Sequence, residues 1–298
     1  MPVINVNNRN QYALITGATS GFGYELAKLF AKDGFSLVLV ARSKERLQEV
    51  TDELKQQYNI EVTPFSCDLF QPAAAKEIYD EVQARGIVVN YLVNDAGQGE
   101  WGRFVDVDLQ RNLDIIQLNV CSLVALTKYF LTDMVTRGEG HILQLGSEAG
   151  KAPMPLLSVY AATKAFVLSF SAAVSNELVG TGVNITVLVP GASDTDFFHK
   201  ANMENTKTYR EESLQTPEEV AQDGYEALMS GESRVISGGK TKMHVYMANL
   251  RSDETNAVNM RKLMEPSEKE DGRTASSHSA SRKERESIGR ESGDLKER

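Results

Sequence analysis

Cysteine is nearly missing from this chain: Cys67 and Cys121 are the only two in 298 residues. They stand far apart inside apolar runs, so a disulfide scaffold is excluded and a reducing, cytoplasmic setting is expected. Histidine is almost as rare. His141, His199 and His244 share no metal-ligand spacing with one another or with either cysteine, and His278 lies near the C-terminus. No metal is expected. Basic residues are in deficit, 32 against 41 acidic ones, and the net charge of -9 argues against nucleic acid as a partner. No apolar run approaches the roughly 18 residues of a membrane span. Residues 1–10 hold no apolar core of signal-peptide length, so neither a membrane partner nor secretion is expected.

What the chain does have is 41% hydrophobic residues, ordinary for a soluble globular protein. Short apolar runs alternate with longer amphipathic segments, which marks βαβ units around a parallel sheet. Strands are expected at 12–16, 36–41, 61–65, 91–93, 141–145, 184–189 and 235–237. Helices are expected at 21–32, 44–58, 73–85, 108 to about 134, and 159–179. One more runs from the Thr216-Pro217-Glu218-Glu219 start to about Ser230. The composition changes after about residue 249. From Pro266 to Arg298 the only apolar side chains are Ala275, Ala280, Ile288 and Leu295, too few to offset ordering entropy. The expected organisation is one domain over residues 1–250 and a charged, disordered tail over 251–298.

The run Thr16-Gly17-Ala18-Thr19-Ser20-Gly21-Phe22-Gly23 falls between the first strand and the first helix. Gly17 can take backbone angles closed to other residues. Gly21 and Gly23 allow close approach of a pyrophosphate, which the helix N-terminus meets with unpaired N–H groups. Its place in a βαβ series reads as a dinucleotide site. The second strand ends Val40-Ala41-Arg42-Ser43. No carboxylate stands there to hold a ribose hydroxyl, and Arg42 can fork onto a 2′-phosphate, so NADP is expected over NAD. The alternative has Arg42 in solvent, with Ser20 or Arg46 in its place. Asp68 is placed either to hold the adenine amino group or to form a turn.

Tyr160 and Lys164 sit at i and i+4, on one helix face. A free phenol titrates near 10, and an ammonium beside it favours the phenolate, moving it toward working pH. Ser147 is placed to donate a hydrogen bond to the same carbonyl oxygen. This is equipment for moving a hydride and a proton across a C=O bond.

Together these residues resemble the short-chain dehydrogenase/reductase family in its compact single-domain branch. The matches are Thr16-Gly17-x3-Gly21-x-Gly23, Asp68-Leu69, Asn94-Asp95-Ala96-Gly97, Asn119, Ser147, Tyr160-x3-Lys164 and Pro190-Gly191-x3-Thr195, across about residues 10–240. Asp95 departs from the family's Asn-Asn-Ala-Gly. The resemblance implies an α/β fold, a Rossmann-type doubly wound sheet of about seven parallel strands in three αβα layers. It implies a homodimer or homotetramer packed through the two long helices. There Ala161, Ala162, Ala165, Ala172 and Ala173 either permit close contact or face the chain's own sheet.

The resemblance also implies cofactor contacts from Gly17, Thr19, Ser20, Gly21, Phe22 and Gly23, from Asp68 and Leu69, and from Asn94, Ala96 and Gly97. Pro190, Gly191 and Thr195 complete that set, with Thr195 on the nicotinamide carboxamide. The implied catalytic group is Asn119, Ser147, Tyr160 and Lys164. Lys164 also binds the nicotinamide ribose, and Asn119 anchors a water that links Lys164 to solvent. Three segments after the fourth, fifth and sixth strands converge where open α/β sheets bind ligands. They offer Trp101, Phe104, Met154, Leu156, Leu157, Phe197, Phe198 and Met203, with Glu100, Arg103, Glu148 and Lys151 nearby. An apolar or aromatic carbonyl or alcohol substrate fits that lining. The other readings are a dinucleotide-binding sensor or scaffold without turnover, and a nucleotide-sugar epimerase, which shares Tyr-x3-Lys.

Overall fold

Strand β2 (Ser36–Ala41) is buried at all of its positions, which requires a layer of helices on each side of its sheet. The computed structural model describes residues 8–268 and supplies both layers. Around β2 lie β1 (Tyr12–Thr16), β3 (Val62–Ser66), β4 (Val89–Asn94), β5 (Gly140–Leu145), β6 (Val183–Val189) and β7 (Arg234–Ile236). All are parallel, in the order β3-β2-β1-β4-β5-β6-β7. The winding reverses between β1 and β4, and that switch point opens the crevice for a ligand.

Period-two alternation decides which residues meet which layer. Ala13 and Ile15 of β1 face α1 (Gly21–Lys32), α2 (Lys44–Tyr58) and α9 (Pro217–Ser230). Leu14 faces α3 (Ala74–Ala84) and the long helix that ends as α5 (Leu123–Arg137). Phe30, Phe35, Tyr91 and Tyr225 meet edge to face at 4.9–5.4 Å in the first layer. Tyr225 there donates to Asp33 Oδ2 at 2.6 Å, tying α9 to the end of α1. The expected strands and helices recur with ends displaced by a residue or two.

The helix expected from Asp108 is interrupted. It runs as α4 (Leu109–Ile116), then a π-helical stretch at Gln117–Ser122, then α5. Asn119 sits in the π stretch, whose extra residue per turn redirects its side chain. The second long helix is α6 (Ser158–Glu177). By length and composition alone residues 109–137 and 158–177 could cross a membrane, which corrects the expectation that no stretch would qualify. The apolar residues that create this signal partly lie on the sheet. Of the five alanines, Ala161 faces inward, while Ala162, Ala165, Ala172 and Ala173 are exposed.

Four helices lie outside the expected set: α7 (Phe197–Lys200), α8 (Lys207–Glu211), α10 (Gly239–Leu250) and α11 (Asp253–Met264). The last corrects the domain boundary. Ser252 caps α11 by accepting from the Thr255 N–H, and Asp253 and Glu254 complement its N-terminus while Arg261 and Lys262 complement its end. Met264 is buried and Met260 and Leu263 half-buried against α7 and α8, so residues 251–267 are ordered by packing on those short helices rather than on the sheet. The disorder expected of residues 269–298 lies outside the described residues.

Candidate active site

The carboxyl ends of β1, β4, β5 and β6 open into one cavity of about 650 Å³. At its polar end the chain leaves β1 through Gly17 (φ 72°) and enters α1 at Gly21 (φ 56°), angles that L side chains rarely adopt. Ser20 is the N-cap of α1 but makes no side-chain cap bond, and the first turn carries no acidic residue. The leading N–H groups therefore face the cavity with their partial positive charge, a seat for phosphate. Lys200, from α7, reaches across and donates to Ser20 Oγ at 3.3 Å. Thr19 and Phe22 line the same wall. Gly23 does not line it. A Cβ there would lie 2.6 Å from both Asp95 Oδ2 and the Gly17 carbonyl, so this glycine makes room for Asp95 beneath the turn.

Beyond the turn, the Arg42 guanidinium lies 5.0 Å from the Phe70 ring centroid, held over the ring face on the cavity wall. Ser43 beside it caps α2 by accepting from the Arg46 N–H. Arg46 itself is paired with Glu49 at 2.9 Å and stands outside the lining. Asp68 Oδ1 accepts from the Phe70 N–H at 3.3 Å, so its turn-forming role is realised while the residue, with Leu69, still lines the cavity.

The reacting end is built on β4, β5 and α6. Asn94 is turned away from it: its Nδ2 donates to Thr127 Oγ and Gln144 Oε1, both at 3.1 Å, inside the sheet. Adjacent strand residues point to opposite faces, so the Asn94 side chain does not line the cavity while that of Asp95 does. Asp95, Ala96 and Gly97 line the cavity, as do Pro190, Gly191 and Thr195. Thr16 Oγ accepts from the Asp95 and Ala96 N–H groups and fixes the turn out of β4. Asn119 also lies behind the wall. Its Oδ1 accepts from the Gln98 N–H, and its Nδ2 donates to the Gln98 carbonyl and to Thr163 Oγ. Thr163 in turn donates to the Tyr160 carbonyl at 2.7 Å. The Asn119 side chain is thus committed to Gln98 and Thr163.

Ser147, Tyr160 and Lys164 converge on the cavity. Lys164 Nζ donates to the Leu145 carbonyl at 2.8 Å and lies 5.7 Å from the Tyr160 ring centroid. Burial pulls its pKa down to about 8, against the opposing pull of Asp95. Burial pushes the Tyr160 phenol up to about 12, with a hydrogen bond to Ser147 working the other way and the charges of Asp95 and Glu148 adding to the rise. Desolvation, rather than the downward pull expected from Lys164, sets the direction. Asp95 is raised by burial to about 7, opposed by Lys164, the Gly23 N–H and Lys200. Its Oδ1 is buried without a hydrogen-bond partner.

The apolar end contains Met154, Leu157, Phe197, Phe198 and Met203, and Phe197 tilts over Tyr160 at 4.8 Å. Trp101 and Leu156 back this wall without lining it, and Phe104, at 61% exposed, faces solvent. Glu148 lines the cavity and pairs with His244 at 3.2 Å, whereas Glu100 is paired with Arg111 and Arg103 with Asp106. Lys151 stands outside the lining. Sequence reasoning missed Lys200, Thr208 and Met264, all of which line the cavity. The cap and charge pattern at Ser252–Lys262 was the available signal for the segment bearing Met264. Among the described residues no group of His, Cys, Asp and Glu could hold a metal ion.

A sequence profile described as short chain dehydrogenase matches residues 11–206. The chain is 36% identical over 187 residues to a very-long-chain 3-oxoacyl-CoA reductase of Anas platyrhynchos, covering 60% of this chain and 58% of that one. It is 39% identical over 186 residues to sulfoacetaldehyde reductase 2 of Chromohalobacter salexigens, covering 62% and 73%. The fold is similar to that of a short-chain dehydrogenase from Sphingobium yanoikuyae in complex with NADPH. The TM-score is 0.71 and the identity 30%, over 76% of this chain and 87% of that one.

The Asp95 shift carries a sign. A carboxyl raised in the folded state contributes stability that is complete below its unfolded value near 4 and lost as pH rises to about 7. Asparagine cannot ionise and keeps an acceptor for the Gly23 N–H. Asp95→Asn is therefore expected to gain stability over the parent as pH rises from 4.5 to 7. Each pKa unit is about 1.4 kcal/mol, and each kcal/mol about 2–4 °C in Tm. Thermal melts at the two pH values check this; a gap that widens toward acid would overturn it.

Proposed function

Since the chain belongs to the short-chain dehydrogenase family, we propose that it is an NADP-dependent oxidoreductase that reduces a ketone or aldehyde with an apolar or aromatic substituent. The observation that carries this reading is the convergence of Tyr160, Ser147 and Lys164 on a cavity whose far end is the glycine turn and Arg42. Residues Gly17–Phe22, with Lys200 above them, would hold the pyrophosphate. Arg42 would hold the 2′-phosphate, and Thr195 with Gly191 the nicotinamide side. The reduced dinucleotide, when bound, supplies a hydride for the carbonyl carbon and is left oxidised.

The remaining work belongs to side chains. Ser147 donates to the carbonyl oxygen and stabilises the charge that grows there. Tyr160 transfers its phenolic proton to that oxygen, and the proton is replaced from solvent. A phenol held at about 12 is protonated at neutral pH and so carries the proton that a reduction consumes. Lys164, its pKa lowered by burial to about 8, is still mostly protonated at neutral pH and supports the phenolate left behind. Asn119, through Thr163, fixes the turn of α6 that presents Tyr160. The unpaired thiols of Cys67 and Cys121 suit a reducing cytoplasmic setting.

We also propose a homo-oligomer packed through the long helices. Leu113 and Ile116 on α4 and Phe166 on α6 are exposed, and Phe166 stacks on Phe170 at 5.6 Å. Such a patch favours burial against a second copy.

Three outcomes are expected. Tyr160→Phe keeps NADPH binding and loses about 10²–10⁴ in kcat in a carbonyl-substrate panel followed at the nicotinamide band; near-parental kcat would sink the mechanism. Arg42→Ala raises the KM for NADPH by about one to two decades and leaves that for NADH in place; equal effects on both would remove the 2′-phosphate assignment. Phe166→Glu lowers the sedimentation mass toward the monomer. An unchanged mass at equal concentration would place the interface elsewhere.

A further inference from the structure

Met264 is 4% exposed and lines the cavity beside Phe198, Met203 and Thr208, although it comes from a helix beyond the matched profile. Four backbone groups around it are stitched to the loop segments that form the apolar end. The Met264 carbonyl accepts from Trp101 Nε1 at 2.8 Å, and the Leu263 carbonyl accepts from Thr208 Oγ at 3.0 Å. The Lys207 N–H donates to the Glu265 carbonyl at 3.0 Å, and the Ser267 N–H to the Asn205 carbonyl at 2.7 Å. Lys207 and Glu265 also pair through their side chains at 3.4 Å. The position of residue 264 is set by main-chain bonds, so its side chain can be exchanged without unmooring the segment.

We propose that Met264 is the end wall of the substrate subsite and sets the length of an uncharged, unbranched apolar tail on the carbonyl substrate. This rests on reading the cavity as the site of a carbonyl reductase. The chemistry of the wall selects against polar tails. Thr208, the one polar residue among these four, has its hydroxyl hydrogen donated to Leu263, and the Trp101 N–H behind the wall is spent on Met264. What remains toward the ligand is two thioethers and a ring, which adapt to a methylene chain. None of these four is charged; among the charged liners Glu148 stands beside Gly191 and is paired with His244, and Asp196 is paired with Lys200, which reaches Ser20. A tail ending in carboxylate or sulfonate would lose its hydration at Met264 without gaining a partner.

Trp101 is the single tryptophan of the chain and touches this wall, so its fluorescence reports occupancy. The test titrates 2-alkanones of increasing length into the full-length protein with saturating NADP⁺, and follows their KM with NADPH. Each methylene buried should tighten Kd about fourfold until the chain meets the wall, where the gain stops. Met264→Ala should move that break to longer chains, by about two methylenes, and Met264→Phe to shorter ones. An ω-carboxylate version of the best ketone should bind at least about a hundredfold more weakly. The two variants push in opposite directions, so loss of fold in one leaves the other decisive.

A break at the same length in the parent and the folded variant overturns the assignment of Met264. Tight binding of the carboxylate overturns the uncharged tail. Ketones that bind with a movable break but are never turned over support the wall and overturn the reductase reading. Turnover with an immovable break does the reverse, and no ketone binding at all overturns both.

Discussion

A charged amine is buried under the ends of β4 and β5, and the local irregularities around it follow from the cost of keeping it there. Lys164 is 3% exposed, and water cannot solvate it freely. The Leu145 carbonyl accepts one of its hydrogen bonds, and the carboxyl of Asp95 contributes a compensating field. Two glycines bring its helix close enough for this. A Cβ on Gly97 would stand 3.4 Å from Lys164 Nζ, and one on Gly150 only 2.6 Å from the Lys164 carbonyl carbon. The π stretch then turns Asn119 to clamp Gln98 and Thr163 on either side.

Most of this was legible in the chain itself, for two physical reasons. A strand buried on both faces has little freedom in composition, so Ser36–Ala41 announces itself. Helical spacing fixes which side chains share a face, so Tyr160 and Lys164 could be paired at four residues' distance. Elsewhere geometry rather than composition decides where a side chain goes. Asn94 and Asp95 are neighbours in a motif, but one points into the sheet and the other under the glycine turn. Asn119 was visible as a polar residue in an apolar helix, while the π stretch that commits its amide to Gln98 was not.

The C-terminal segment was misjudged for a different reason. Its apolar residues Met260, Leu263 and Met264 are too few to hold a helix against a sheet, and charge surrounds them. They need only a small loop-borne surface that did not exist until residues 197–211 had folded into α7 and α8. Ordering supplied by another ordered loop leaves almost no trace in composition. The same holds for Lys200, a surface cation by every local measure, which the curl of α7 brings to Ser20.

The contact between α1 and α9 has a consequence for how the chain is made. Leu26, Ala27 and Phe30 of α1 are buried partly by Val220, Ala221 and Tyr225 of α9, and the Tyr225–Asp33 bond joins residues 192 positions apart. Ribosomes add about 5–20 residues per second, so α1 waits roughly 10–40 s for the helix that covers it. Throughout that interval the strand–turn–helix at the polar end of the cavity is exposed on one flank as an apolar nascent surface. The amino-terminal half therefore keeps an uncovered apolar flank until α9 has been made.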